Sequence, residues 1–242
     1  MPDMHAISIR PMASRLSVTP DLRLVLAGGG HAHLGVLADW IRQPPIGVET
    51  WLVTPDPFTV YSGMIPGWMA GYYTADQCLI DLRPLARRAG VKLVLESLCN
   101  IDANRMQVAC KDGSTLPYDL LSLAIGGEVD LSSLAMLGDR LLPVRPMRAF
   151  MQRWPRVVAE AQKRPDYRLI VVGGGAAGAE LALAAAHALR RKSPSARVAL
   201  VTDDAGLIPA LAPAVQRRLR RALAAAGIGL HFGHAAGTEA GI

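Results

Sequence analysis

The chain has 242 residues, 51% of them apolar and only 5% aromatic, with a mean hydropathy of +0.24 and a formal net charge of +6. That is enough apolar chain for one large domain or two modest ones, and small aliphatic residues suit packed α/β layers better than an all-β sandwich. The basic balance favours anionic partners, phosphates included, yet no basic run is interleaved with aromatics, so nucleic acid is not an expected partner.

Residues 1–20 carry Arg10 and Arg15 but no apolar core of a signal peptide, and they read as a disordered leader in which Met4 or Met12 is an alternative start. No apolar stretch is long and unbroken enough to span a bilayer. "LRLVLAGGG" then reads as a buried strand running into glycines, "HLGVLADWIRQ" as a helix, and "VETWLVTP" as a second strand after the break at "PPIG". Together they form a β-α-β unit. "DPFTVYSGMIPGWMAGYY" reads as a long loop or a short broken helix, and "CLIDLRPLARRAG" as a helix closed by Gly90. Strand-like runs separated by turns follow, with a hairpin signal at Lys111-Asp112-Gly113, and "YDLLSLAIGG" is one more buried strand.

Residues 131–165 read as a connector holding one helix, "RAFMQRWPRVVAEAQKRP". "YRLIVVGGGAAGAELALAAAHALRRK" opens a second strand–turn–helix, and "ARVALVTDD" is its next strand. "APAVQRRLRRALAAAG" has a helical face of Val215, Leu219, Ala222, Leu223 and Ala226 and ends at Gly227 before a last strand, "IGLHF".

Two glycine turns carry the chemistry. Gly173, Gly175 and Gly178 fit G-x-G-x-x-G without exception: the first lets the chain turn, the second lets backbone approach a pyrophosphate, the third lets helix pack on strand. N–H groups at the helix start favour phosphate there. Acidic residues Asp203 and Asp204 follow the next strand, and a carboxylate there accepts from a ribose 2′-OH and repels a 2′-phosphate, so NADH is expected in preference to NADPH. The earlier turn has Gly28 and Gly30 but His33 at the third place, so either the helix sits further off or the imidazole must find room. The acid at its second strand is missing, leaving Asp56 or no ribose contact. Two such units in one chain suggest one flavin and one nicotinamide with hydride passing between them. The fold expected is therefore α/β, with two Rossmann-like βαβ dinucleotide-binding domains, both incomplete: residues 21–130 for FAD, 131–165 connecting, 166–242 for NAD.

The order "GGGHAH", "YSGMIPG", "IDLRPLARRAG", "LPYDLLSLAIGG" and "VVGGGAAGAELALA" resembles the FAD-dependent pyridine nucleotide-disulfide oxidoreductase superfamily. Within it, the likeness is greatest to the type II NADH dehydrogenase-like group associated with, or fused to, selenophosphate synthetase. The resemblance implies that His33 is a usual variant of the first turn. It places Gly28, Gly29, Gly30 and His31 at the FAD pyrophosphate, and Tyr61, Ser62, Gly63 and Met64 in a loop near the flavin. Gly126 and Gly127 would lie where the chain leaves the FAD domain. Gly173, Gly174, Gly175 and Gly178, with Asp203, would hold the nicotinamide coenzyme, and Glu180 would lie near the nicotinamide–flavin contact as the catalytic candidate.

The resemblance also implies an electron acceptor that is a quinone or another small molecule, a cytoplasmic protein at the inner face of the membrane through peripheral association, and a functional link to selenophosphate synthetase. The superfamily's C-x-x-x-x-C redox pair is lacking, so electrons would leave the flavin directly. Relatives continue beyond the NAD half-domain, and the end at Ile242 reads as truncation, which keeps an inactive nucleotide-binding fragment as one alternative. A sulfide–quinone reductase-like enzyme is another, with Cys78 able to approach the flavin; Cys99 and Cys110 read as strand fillers. The three thiols form no C-x-x-C pair and fit a reducing cytoplasm. His31 and His33 have no further ligands nearby in sequence, so no metal is expected.

Overall fold

A computed structural model describes residues 21–203 and 206–238; the leader and Asp204 lie outside the described residues. Contacts divide the chain into two compact units. The first takes residues up to Gly28, then Ala32–Pro55 and Pro84–Ala124; the second takes Gly29–His31, Asp56–Arg83 and the chain from Ile125.

In the first unit, the apolar run Leu22–Ala27 forms β1, helix α1 covers His31–Arg42, and β2 is Val48–Val53. β1 pairs in parallel with β2, Leu24 opposite Thr50 and Ala27 opposite Val53. Next in chain order, β3 (Phe58–Val60), α2 (Ile65–Met69) and β4 (Leu79–Asp81) belong to the second unit, α3 (Leu82–Arg88) crosses the division after Arg83, and β5 (Lys92–Val94) is again in the first. Then come β6 (Leu98–Asp102), β7 (Gln107–Cys110), β8 (Thr115–Pro117) and β9 (Leu120–Leu123). A four-stranded parallel sheet has the order β5-β2-β1-β9, and β6-β7-β8 is an antiparallel meander. The hairpin expected at Lys111-Asp112-Gly113 joins β7 to β8, with Gly113 at φ +87°. Val25, Val53, Val108, Cys110 and Tyr118 meet in one apolar cluster of this unit.

The expected helix at 78–90 begins later. Leu79–Asp81 is instead the strand β4, paired antiparallel with β3, and α3 starts at Leu82. The Asp81 carboxylate accepts the Arg83 N–H at 3.0 Å, a side-chain cap that fixes the start of the helix. Gly90 follows the helix at φ +70°, as a left-handed stop requires.

The second unit is built on α4 (Met147–Lys163), β10 (Arg168–Val172), α5 (Ala176–Lys192), β11 (Arg197–Thr202), α6 (Pro213–Ala225) and β12 (Gly229–Phe232). Its sheet is parallel with the order β10-β11-β12. Helix α5 buries alanines and leucines on most of its circumference, the pattern of a helix enclosed on several sides. It packs against α2, α4, α6 and the sheet. Phe150, Trp154 and Val158 form a one-face stripe that brings α4 into the same core, so the stretch read as a connector supplies a wall of this unit. On α6, Leu219 and Leu223 turn inward, as does Ala226 directly after it, whereas Val215 and Ala222 are exposed: the buried stripe is narrower than the apolar face read from the sequence. No helix among the described residues is long and apolar enough to cross a membrane.

Candidate functional site: two glycine turns

β1 ends where Gly28 turns at φ +89°, a region open to glycine. The Gly28 N–H donates to the Val53 carbonyl at 2.7 Å, tying the turn to the end of β2. His33 stands where a third glycine is usual and is 1% exposed. Its Nδ1 lies 2.6 Å from the Gly28 carbonyl oxygen and its Nε2 lies 3.0 Å from the Ser122 hydroxyl on β9. A carbonyl can only accept, so Nδ1 carries the proton, and in the neutral ring Nε2 accepts from Ser122. The imidazole has found room, and it holds the turn to the strand on the far side of β1.

The residues expected near a flavin are placed in the second unit. The His31 ring, exposed at the start of α1, lies 5.1 Å from the Tyr61 ring at an interplanar angle of 45°. Tyr61 is held by its N–H on the Cys78 carbonyl at 2.8 Å and precedes the short turn Ser62–Met64, from which α2 continues. Met64 packs against the core and Gly63 is exposed beneath the Tyr61 ring. Gly126, at φ +81°, and Gly127 follow β9; a Cβ at Gly126 would meet the Arg145 guanidinium at 3.3 Å. Arg145 has no sequence signal linking it to that turn. Asp56 is engaged by Arg148 at 2.8 Å and by the Phe58 N–H at 2.9 Å. Its carboxylate is already committed to local structure.

The second turn repeats the first in its backbone. Gly173 turns at φ +119°, and its N–H donates to the Val201 carbonyl at 2.8 Å. At Gly178, an added Cβ would lie 1.9 Å from the Gly173 carbonyl oxygen, so helix and turn touch at a distance only glycine allows. Gly174 is buried: a Cβ there would fall 1.9 Å from the Thr202 hydroxyl. Gly175 differs from both, being exposed at the N-cap of α5 with nothing within 4 Å of an added Cβ. Gly173 is likewise exposed with nothing within 4 Å of an added Cβ, and a backbone cradle open at these two glycines fits the close approach of a phosphate. Glu180 is exposed on α5, the helix against which α2 packs.

Asp203 is exposed one residue beyond β11. The residue at the strand tip is Thr202, 2% exposed, whose hydroxyl donates to the Gly206 carbonyl at 3.0 Å. Cys78 is fully buried, its thiol pKa is pushed up by that burial, and its Sγ lies 3.5 Å from the Thr74 carbonyl. A buried, protonated thiol is a poor nucleophile, which weighs against sulfide chemistry at this residue. Among the described residues, no three of His, Cys, Asp and Glu gather as a metal site would require.

Two parallel sheets, each with a strand–glycine turn–helix entry and matching backbone bonds, define the α/β fold of dinucleotide-binding domains. The chain belongs to the pyridine nucleotide-disulphide oxidoreductase family, whose profile matches residues 22–240. Among solved structures it is similar to NDH2 of Plasmodium falciparum in complex with NADH, with a TM-score of 0.71 at 12% identity over 87% of this chain and 48% of that one. It is similar to the sulfide:quinone oxidoreductase of Aquifex aeolicus, with a TM-score of 0.70 at 17% identity over 87% and 51% of the two chains. A third is the putidaredoxin reductase of a covalent complex with putidaredoxin, with a TM-score of 0.68 at 24% identity over 88% and 50%. The chain spans about half the length of these structures. No curated protein sequence matches it.

Proposed function

We propose that this chain is the nucleotide-binding portion of a flavoprotein oxidoreductase, similar to type II NADH dehydrogenases. It would take hydride from a reduced pyridine nucleotide and pass electrons through FAD to a quinone or another small acceptor. The observation that carries the reading is the doubled turn. Gly28 and Gly173, both at positive φ, donate their N–H groups to carbonyls at the end of the neighbouring strand, those of Val53, the last residue of β2, and Val201, the last but one of β11. Each turn thereby presents the next helix start to a pyrophosphate.

When bound, a flavin accepts two electrons as hydride and releases them singly or together. The chain's own residues bind and orient. Gly28, Gly29, Gly30 and His31 would hold the flavin pyrophosphate, with Tyr61 to Met64 and the Gly126-Gly127 turn as further contacts. Gly173, Gly174, Gly175 and Gly178 would seat the pyridine nucleotide, and Glu180 would orient the nicotinamide end. Electrons would leave the flavin directly, because the sequence has no C-x-x-x-x-C pair. We place the acceptor at the cytoplasmic face of a membrane, and the link to selenophosphate synthetase belongs to the same proposal.

Anaerobic titration tests it. The protein reconstituted with FAD should bleach near 450 nm on addition of NADH, and a soluble quinone should restore the colour. Binding of FAD without bleaching would reduce the chain to a nucleotide-binding module. Failure to bind either nucleotide in a cooperatively folded protein would overturn the reading.

A further inference from the structure

The preference for NADH read from the sequence depends on a carboxylate just past β11, at Asp203 or Asp204, and Asp203 lies one residue beyond the strand. The last residue of the strand itself is neutral Thr202, set against Gly174 with its hydroxyl donating to the Gly206 carbonyl. Opposite Thr202 in the register of β12 is Phe232, whose ring is half exposed. The Arg220 guanidinium, reaching from α6, lies 5.2 Å from the centre of that ring. Gly206, at φ +87°, lies beside the ring: its added Cβ would be 4.0 Å from Phe232 Cε1. The carboxyl end of this sheet therefore offers an aromatic plane with a cation over it, beside a glycine turn. Arg220 makes no ion pair among the described residues.

A flat π-surface is suited to a purine, and a guanidinium held on its face forms paired hydrogen bonds to a phosphate. We infer that Phe232 and Arg220 read the adenosine end of the pyridine nucleotide and that, with Thr202 at the strand tip, they admit a 2′-phosphate, so that NADPH is accepted as well as NADH. Asp203, exposed one residue beyond β11, opposes a 2′-phosphate, and Arg220, exposed as well, offsets that charge. The inference rests on the pyridine-nucleotide reading of the second turn and specifies its coenzyme choice.

Two fragments separate the terms: 5′-ADP carries the adenosine and pyrophosphate, and 2′,5′-ADP adds the discriminating phosphate. Calorimetric titration should find 2′,5′-ADP bound at least as tightly as 5′-ADP. Arg220→Gln should weaken 2′,5′-ADP about ten-fold with little effect on 5′-ADP, worth roughly 1.4 kcal/mol. Arg220→Lys should retain part of the affinity, and Phe232→Ala should weaken both fragments. Both side chains are exposed, and an unchanged melting curve confirms that the variants fold. A wild type that binds 5′-ADP but discriminates against 2′,5′-ADP by about ten-fold or more would overturn the inference and leave the dinucleotide site standing. Equal losses for both fragments in Arg220→Gln would also overturn it. If neither fragment binds, the pyridine-nucleotide reading falls with it.

Discussion

The two glycine turns solve one packing problem by opposite means. Each must hold the carbonyl of its first glycine against the helix that follows. In the second turn Gly178 does so by bareness: its Cα comes so near the Gly173 carbonyl that a methyl group has no room. In the first turn the same carbonyl, that of Gly28, receives a hydrogen bond from a histidine side chain. Where the helix can approach, contact holds the turn; where a side chain stands in the way, that side chain must supply the bond. The contrast also sets what each turn tolerates. One excludes any added atom, and the other depends on the atoms it has.

The largest effect should come from making the tight turn resemble the loose one. Gly178→Ala sets a methyl group against backbone, which cannot swing aside as a side chain can, so helix α5 must shift. Overpacking costs about 1–3 kcal/mol in ordinary cores, and about 3 kcal/mol or more is expected here because the neighbour is a carbonyl. Urea denaturation measures it; a loss under about 1 kcal/mol would mean that the helix moves freely.

Next is the reverse exchange. His33→Gly restores G-x-G-x-x-G by letter, yet it should destabilise the first unit by about 2 kcal/mol. It empties the space of a buried ring and leaves the Gly28 carbonyl and the Ser122 hydroxyl without partners. A neutral or stabilising His33→Gly, judged by the same denaturation, would show that the imidazole is only a passenger. Gly175→Val then separates ligand from fold. Its side chain enters open space, so stability should change by less than about 0.5 kcal/mol. The phosphate loses its approach, and affinity for 5′-ADP should fall about ten-fold or more. Unchanged affinity in a folded variant would remove the second turn from the coenzyme site.

Strand and helix order was legible because alternation, glycine stops and the two turns are local signals. The hairpin at Gly113 and the helix stop at Gly90 follow from single residues with left-handed backbone. What escaped was set by partners far along the chain. His33 meets Ser122 across 89 positions, and Asp56 meets Arg148 across 92. The late start of α3 depended on a choice between strand pairing and helix for Leu79–Asp81, which the apolar pattern alone does not decide. Just past β11 the order of residues suggested an acid, and Asp203 is there, while the packing of Thr202 against Gly174 within the turn carried no sequence signal.

The smallest expected effect sharpens the comparison most. Ser122→Ala removes one hydrogen bond and leaves the ring of His33 in place. If the imidazole is neutral with its proton on Nδ1, the bond to Gly28 is untouched, and only Nε2 loses a partner. The cost should be about 1 kcal/mol, the penalty of one unsatisfied acceptor in a half-buried setting. The double variant His33→Gly with Ser122→Ala should then be less destabilised than the sum of its parts, because Ser122 has already lost its partner when the ring is gone. A coupling of about 0.5–1 kcal/mol is expected from groups that share one bond. Strict additivity would mean that Ser122 and His33 act separately, and the turn would then be held by the Gly28 carbonyl bond alone. A magnetic resonance measurement of the His33 ring nitrogens supplies the independent check. The tautomer protonated on Nδ1 must persist in Ser122→Ala, since the carbonyl that selects it has not moved.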